Sequence, residues 1–435
     1  MGQWQMPKGV FWGILGTSFV LGLLLRIALV IQFVGLESPP DPGAQPDQLD
    51  YELYAYQMSR GEGYTKADGA IALNRPPGTS FTLVGIYYLA GRDFGLGRIW
   101  FCFLSALTIL AVGWLGALSF GRMTGGLAAI LLALFPNHAY FPLHFVSEVP
   151  FALLVIVGSG LTILALRSQD QNRRWRQQGS WFLACLAGVV WGFATLVRPN
   201  ILLVIPLYWL VVFFLSQGNW IHLLRQMVIL SLLSGLTLFP WVLRNRLVVG
   251  QWTISTVGAY TFWGAHNEKT LRELPGGWIG PSKLTDADHP FVGEDLADAA
   301  LAWKYSLAFL RDHTEDLPYL VMMKIYRLVS PFEETENRII YWVFALAWLV
   351  TVPFLIMGIW HGLIQNRDET IILLVPILAL VVTAILFYGS CRFRDSIAPS
   401  YLLFAAVGLL WVVNWWRKGP NRERVTGRQT SAGPV

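Results

Sequence analysis

Glu148-Val-Pro-Phe-Ala-Leu-Leu-Val-Ile-Val-Gly-Ser-Gly-Leu-Thr-Ile-Leu-Ala-Leu166 decides the fold: one carboxylate, then an uncharged apolar run long enough to cross a bilayer. An ionised carboxylate at the bilayer centre costs about 2.5–3.5 kcal/mol on insertion scales, so the acid belongs at the entrance and not inside. The same separation holds along the whole chain. Ten stretches read as membrane spans: 10–34, 97–118, 125–145, 149–166, 180–197, 200–216, 226–243, 340–360, 370–389 and 397–416. None of them contains an Asp or a Glu.

Composition agrees. The 435 residues are 54% hydrophobic and 14% charged, which leaves little soluble mass and marks an all-α polytopic membrane protein. The 20 Trp and 15 Tyr suit a long membrane–water boundary. A net charge of +5 does not indicate nucleic acid, because the basic residues are dispersed among loops. Three cysteines are too few for a disulfide framework or a zinc site, and Cys102 and Cys185, inside apolar runs, read as small buried hydrophobes. The first run, 10–34, is too long for a signal peptide and no small-residue cleavage pattern follows it, so it reads as an uncleaved span.

Lys and Arg set the orientation. Arg167, Arg173, Arg174 and Arg176 fall in one connection, Arg122 in another, Arg225 before the seventh span, and Arg417, Lys418, Arg422, Arg424 and Arg428 in the tail. Placing all of these inside, with Lys8, satisfies the positive-inside rule and puts both termini in the cytoplasm. The run 80–91 is too short to cross and reads as a helix lying in the outer interface; 318–330, interrupted by Lys324 and Arg327, reads the same way.

The expected organisation is a membrane module over 1–243 with a first outer loop at 35–96. A second outer loop or lid spans 244–339, further spans occupy 340–416, and 417–435 is a disordered basic tail. In the first loop Tyr51, Tyr54, Ala55 and Met58 recur at helical spacing, read as one lipid-facing stripe. The second loop reads as mixed: extended from Trp252, rich in Gly and Pro in the middle, helical near 296–311.

The chemistry belongs to charges at the outer ends. Asp47 and Tyr51, four apart, share one helix face, and a carboxylate beside the low-dielectric layer can have its pKa raised toward that of a useful base. The alternative is that Asp47 caps the helix, with Asp50 loosely completing a capping box. Glu148 either favours the helix dipole at the start of its span or orients an acceptor. Arg75, Arg244, Arg392 and Arg394 fall on the outer side, where guanidinium groups can hold phosphate oxygens. Two arginines in the short 390–396 loop run against the positive-inside rule and want an explanation, whereas Arg26 reads as snorkelling. His138 and His144, six apart, read as ordinary interfacial histidines.

Several short motifs carry a resemblance. Asp47-Gln-Leu-Asp-Tyr51-Glu-Leu-Tyr-Ala55, Gly61-Glu-Gly63-Tyr64, Arg75-Pro-Pro-Gly78, Ser147-Glu148, Arg198-Pro199, Pro240-Trp-Val-Leu-Arg244-Asn245 and Arg392-Phe-Arg394 follow in an order similar to that of the GT-C glycosyltransferases. Within them the group resembled is the one related to protein O-mannosyltransferases and the lipid A aminoarabinose transferase. The resemblance implies a GT-C fold and an active site facing the outside of the plasma (inner) membrane. It implies a polyprenyl-phosphate sugar as donor and a glycan, lipid or protein acceptor. It also implies that Asp47 is the catalytic base; where the group has a second acid this chain has Gln48, leaving Asp50 as a substitute.

The reaction expected is direct displacement with inversion. A phosphate leaving group departs without being protonated, so no carboxylate pair is demanded. No cofactor is expected: some relatives of this type use a divalent cation, but no carboxylate cage for a metal is legible. A transporter or flippase is the main competing expectation, disfavoured by the lack of acids in the spans, of repeat symmetry and of paired broken helices. A glycan ligase would share the basic outer site and differ in taking a diphosphate-linked donor.

Overall fold

The computed structural model describes residues 6–167, 174–215, 220–280, 283–284, 296–332 and 337–418. The expected disordered tail beyond 418, most of the basic 167–177 connection and the middle of the second outer loop lie outside the described residues.

The chain enters through α1 (Lys8–Phe33), whose Trp12, Leu21, Leu24 and Ile31 face outward as lipid-facing side chains would. The first long connection, 35–96, then forms α2 (Asp47–Ser59) and α3 (Gly78–Ala90). Next come α4 (Phe94–Phe120), capped by Asp93 accepting from the Leu96 amide at 2.8 Å, α5 (Arg122–Leu134), the short α6 (Pro136–Tyr140) and α7 (Glu148–Leu166). Three further helices, α8 (Arg174–Val197), α9 (Val204–Leu215) and α10 (Trp220–Val249), complete the first half. The second long connection, 250–337, holds α11 (Val257–Ala265), α12 (Glu268–Glu273), α13 (Leu296–Asp312) and α14 (Leu317–Val329). Last come α15 (Arg338–Gln365), α16 (Arg367–Leu386), the short α17 (Cys391–Asp395) and α18 (Ala398–Lys418).

Every expected span contains helix, but not all are simple crossings. Among the described residues, α1, α4, α7, α10, α15, α16 and α18 are long and apolar enough to cross a membrane. The expected 125–145 span bends by 55° between α5 and α6, and the apolar helices over 181–197 and 199–214 are short. The bend has a local cause. Pro136 has no N–H for the Leu132 carbonyl four residues back. Arg26 fills the break, donating to the Leu132 and Ala133 carbonyls at 3.4 and 3.3 Å and to Ser105 Oγ at 2.7 Å. Fully buried, Arg26 does not snorkel; it is a core residue bound to helix-end carbonyls, which carry the negative end of the dipole. His138 is likewise buried, its Nδ1 3.1 Å from Arg26 Nη2.

Three other expectations change. Tyr51, Tyr54 and Ala55 are buried, not lipid-facing, because α2 packs inward; the Tyr54 and Tyr64 rings lie 4.7 Å apart, and Tyr64 meets Trp241 at 5.0 Å. Among the described residues of 244–339 no strand forms: the stretch from Trp252 reaches α11 without regular structure, while the helix expected near 296–311 is present as α13. Helix α10 continues past 243 to Val249, so Arg244 and Asn245 lie inside it. Helix α14 exposes Met322, Tyr326 and Val329 while burying Lys324, the polarity expected of a helix whose outer face meets lipid.

Candidate functional site

Five separate segments bring charge to one place. Asp47 is the first residue of α2, but the helix has no side-chain cap bond, so its carboxylate is not used as a cap. Instead Asp47 Oδ1 lies 2.9 Å from Arg75 Nη2 and its Oδ2 3.2 Å from Arg392 Nη2. Asp50, one turn on, accepts from Arg75 Nε at 2.8 Å and from Asn74 Nδ2 at 3.1 Å. Tyr54 Oη bonds Asn74 Oδ1 at 2.7 Å and fixes that amide.

The second half of the cluster is built on Glu148. Its carboxylate lies 2.6 Å from Arg198 Nη2 and is also bonded by Arg392 Nε. Arg198 Nε donates to Ser147 Oγ at 2.9 Å, so Ser147-Glu148 and Arg198 form a two-point contact. The order is alternating: Asp50, Arg75, Asp47, Arg392, Glu148, Arg198. Three carboxylates therefore face three guanidinium groups, and Arg392 joins the two halves.

Local sequence explains why these arms meet. Arg75 precedes Pro76-Pro77-Gly78, and a Cβ on Gly78 would lie 2.5 Å from the Val197 amide nitrogen. Only glycine allows α3 to start directly against the end of α8, which brings the segment carrying Arg75 and the one carrying Arg198 to the same end of the bundle. Arg392 and Arg394 are two residues apart on the short α17 and point to different surroundings. Arg394 is buried, paired with Asp395 at 2.8 and 3.0 Å, bonded to the Ser330 carbonyl at 2.6 Å, and 4.0 Å over the Trp348 ring. Asn137 and Tyr401 hold Asp395 from the other side at 2.6 and 2.9 Å. Arg394 therefore packs the bundle together and is not part of the cluster.

Arg244 also lies apart. It stacks over Trp241 at 5.0 Å and bonds Asn245 Oδ1 at 2.9 Å, while Asn245 and Trp241 bond the Thr253 and Ile254 carbonyls at 2.8 Å each. The Pro240–Asn245 stretch thus ties the chain leaving α10 back onto the first loop, where the Thr256 amide donates to the Leu73 carbonyl at 2.8 Å.

Charge sets the protonation states. Burial pushes the Asp47 carboxyl up, but the guanidinium groups of Arg75, Arg392 and Arg198 outweigh it and hold the group below the usual carboxylate range. This reverses the expectation of a raised pKa, which considered the low-dielectric surroundings without the arginines. Burial works against the charge of Arg75 and Arg392, yet Asp47 raises the first and Glu148 and Asp47 raise the second, so both stay cationic. Burial drives Tyr51 and Tyr388 up to about 12, so both hydroxyls beside the cluster keep their protons. His144, lowered to about 4 by burial, is neutral there.

Exposure separates the acids. The Asp47 side chain is 26% exposed and can meet an incoming group; that of Glu148 is 0% exposed and cannot. The Glu148 carboxylate is instead taken up by Arg198 and Arg392. Among the described residues no three His, Cys, Asp or Glu side chains are grouped as a metal ion would require.

Sequence reading missed Arg198 as a site residue although its Arg198-Pro199 motif stood out. The signal was present: an arginine at the end of a span that the Lys and Arg count expects outside, against the positive-inside rule, like Arg392. Asn74 and Tyr388 carry no such signal, because ordinary polar residues next to loops are common.

Residues 74–243 match the family model of dolichyl-phosphate-mannose-protein mannosyltransferases, which is less than half of the chain. No curated protein matches. Among solved structures, the archaeal oligosaccharyltransferase AglB from Archaeoglobus fulgidus, in complex with an inhibitory peptide and a dolichol-phosphate, is similar at 15% identity and a TM-score of 0.61, over 98% of this chain and 53% of that one. The apo form of the Archaeoglobus fulgidus oligosaccharyltransferase is similar at 16% identity and 0.57, over 94% and 51%. ArnT from Cupriavidus metallidurans bound to undecaprenyl phosphate matches over 93% and 79% at 13% identity, with a TM-score of 0.42 that is too low to argue from. This chain spans about half the length of the oligosaccharyltransferase it matches. At these identities the likeness is one of fold, and the fold is that of the GT-C membrane glycosyltransferases.

Proposed function

We propose that this chain with a GT-C fold is a membrane glycosyltransferase, moving a sugar from a polyprenyl-phosphate carrier to an acceptor on the extracytoplasmic face with inversion. The observation that carries the reading is the alternating cluster, in which a partly open carboxylate, Asp47, sits between two guanidinium groups, Arg75 and Arg392. The dolichol-phosphate in the AglB complex and the mannosyltransferase family model make a lipid phosphate the fitting anion for those arginines.

The chemistry follows from competition for the arginines. In the free protein Asp47 is stabilised as an anion and is a weak base. A donor phosphate that draws Arg392 and Arg75 toward its oxygens removes the charges that hold Asp47 down. Burial then dominates and raises its proton affinity. Asp47 takes the proton of an acceptor hydroxyl or amine as the acceptor attacks the anomeric carbon. The sugar–phosphate bond breaks, its electron pair leaves with the phosphate, and the arginines neutralise the developing charge. Glu148 keeps Arg198 and Arg392 in place, and Asp50 does the same for Arg75.

The test is reconstitution in proteoliposomes with polyprenyl-monophosphate sugars, following release of free lipid phosphate and the fate of labelled sugar. Transfer with cleavage of the sugar–phosphate bond supports the reading. Passage of intact lipid-linked sugar across the bilayer makes the protein a flippase, and activity confined to diphosphate-linked donors makes it a glycan ligase.

A further inference from the structure

The second outer loop meets the segment carrying Arg392 through a buried pair of nitrogen bases. Lys324, on α14, is 3% exposed; its ammonium donates to His266 Nε2 at 2.7 Å and to the Ile385 carbonyl at 3.0 Å. His266, just beyond α11, has Nδ1 2.8 Å from the Phe262 carbonyl. A carbonyl only accepts, so Nδ1 carries the proton and Nε2 is the acceptor. The interaction therefore has a fixed direction, from Lys324 to His266. Burial, with Lys324 adding to it, brings His266 down to about 3, so the imidazole stays neutral and free to accept. Ile385 lies in the last turn of α16, where a cation is favourable against the unpaired carbonyls.

The backbones beside this pair touch directly. The Gly389 amide donates to the Gly276 carbonyl at 2.9 Å. A Cβ on Gly389 would lie 1.9 Å from the Lys324 carbonyl oxygen, and one on Gly276 2.6 Å from the Lys324 amide nitrogen. The loop around 276, Lys324 and the chain leaving α16 thus meet with no side chain between them. The rings continue the contact: Trp278 stacks on Tyr388 at 6.1 Å, and Tyr388 meets Phe393 at 4.6 Å. Arg392 follows Gly389 by three residues, so this junction sets where the chain enters α17, whose far end is held by Arg394 and Asp395.

We infer that Lys324 is a positioning residue: it latches the second outer loop onto the C-terminal turn of α16 and thereby sets Arg392 against Asp47 and Glu148. The cluster is complete only while the loop is seated, so a ligand that lifts the loop also withdraws Arg392 from the two acids. The link to turnover rests on the transferase reading; the latch does not.

The test uses the full chain in nanodiscs, with Lys324→Met and, should that variant fold poorly, Lys324→Gln. The first readout is amide exchange. Loss of the latch speeds exchange in 385–396 by roughly ten-fold or more relative to α4 and α7, and unchanged exchange in that segment overturns the proposal. The second readout is lipid-phosphate release in a double-mutant cycle with Arg392→Lys. Lys324→Met lowers kcat roughly 10- to 100-fold in the native background and has little further effect beside Arg392→Lys. Equal losses in both backgrounds mean that Lys324 does not act through Arg392 and overturn the proposal. If the wild-type chain releases no lipid phosphate at all, the transferase reading fails, and the exchange result still decides the latch.

Discussion

Arg392 Nη2 lies 3.2 Å from Asp47 Oδ2 although 345 residues separate the two in the chain. One comes from the first long connection and the other from the last connection between helices, so both occupy the same end of the bundle. A cluster divided between two leaflets would have ruled out a shared site. Because Arg75 keeps Asp50 and Arg392 keeps Glu148 when Asp47 is lost, the site tolerates the change structurally. Asp47→Asn is expected to abolish transfer while costing about 1 kcal/mol or less of stability. Turnover assays beside thermal melts in detergent check this, and full activity in the variant removes Asp47 from the mechanism.

The pH dependence has a defined sign. Asp47 is depressed in the free protein, so its ionised form persists below the ordinary carboxylate value of about 3.9 and is lost only as the pH falls further. The acidic limb of kcat/KM, which reports the free enzyme, should therefore fall below that value. The limb of kcat, which reports the donor complex, should lie at higher pH because the phosphate has taken the arginines. Steady-state profiles at saturating and limiting donor measure both; coincident limbs would exclude the competition for Arg75 and Arg392.

Glu148 should matter for folding as well as rate. Replacing it by Leu leaves Arg198 and Arg392 without their shared buried partner, a change that costs about 3 kcal/mol and not more, since the two arginines keep 12% and 25% exposure. Chemical denaturation of Glu148→Leu against the wild type gives the number. A variant as stable as the parent would show that the arginines find other partners.

The two neighbouring arginines of α17 should separate cleanly. Arg394→Met breaks the pair with Asp395 and the contact with the Ser330 carbonyl, and should lower stability by about 3–5 kcal/mol while the folded fraction keeps its affinity for donor. Arg392→Met should do the opposite, weakening donor phosphate binding with a smaller loss of stability. Donor titrations on the folded fraction of each distinguish the two; equal loss of affinity in both places Arg394 in the binding site after all.

Arg198→Lys tests the two-point contact. Lysine keeps the charge but loses the fork that reaches Ser147 Oγ and Glu148 together. A fall in kcat of roughly ten-fold with an intact fold is expected, by analogy with other losses of positioned donors. Unchanged kinetics would reduce Arg198 to a neutralising charge.

How much of this was legible in the residues depends on the kind of interaction. Exclusion of acids from apolar runs located the helices, because one buried carboxylate outweighs most local preferences. The same local reading misplaced Arg26: an arginine near a span's end snorkels unless something inside needs donors, and the broken helix at Pro136 does. It also gave Tyr51, Tyr54 and Ala55 to the lipid, since helical spacing shows that one face is apolar but not what covers it.

What the sequence by itself determined was the rough placement of the apolar helices and the short motifs bearing Asp47, Arg75, Glu148, Arg198 and Arg392, because burial of charge is costly wherever it occurs; which of those helices are long, unbroken crossings it did not determine. What only the tertiary structure decided was which charges pair. Arg392 and Arg394 are two residues apart in the chain, yet one completes the acidic cluster and the other braces the bundle through Asp395. Coulomb energy depends on distances of a few ångströms, and those are fixed by helix packing and by close backbone contacts such as that at Gly78, not by spacing along the chain.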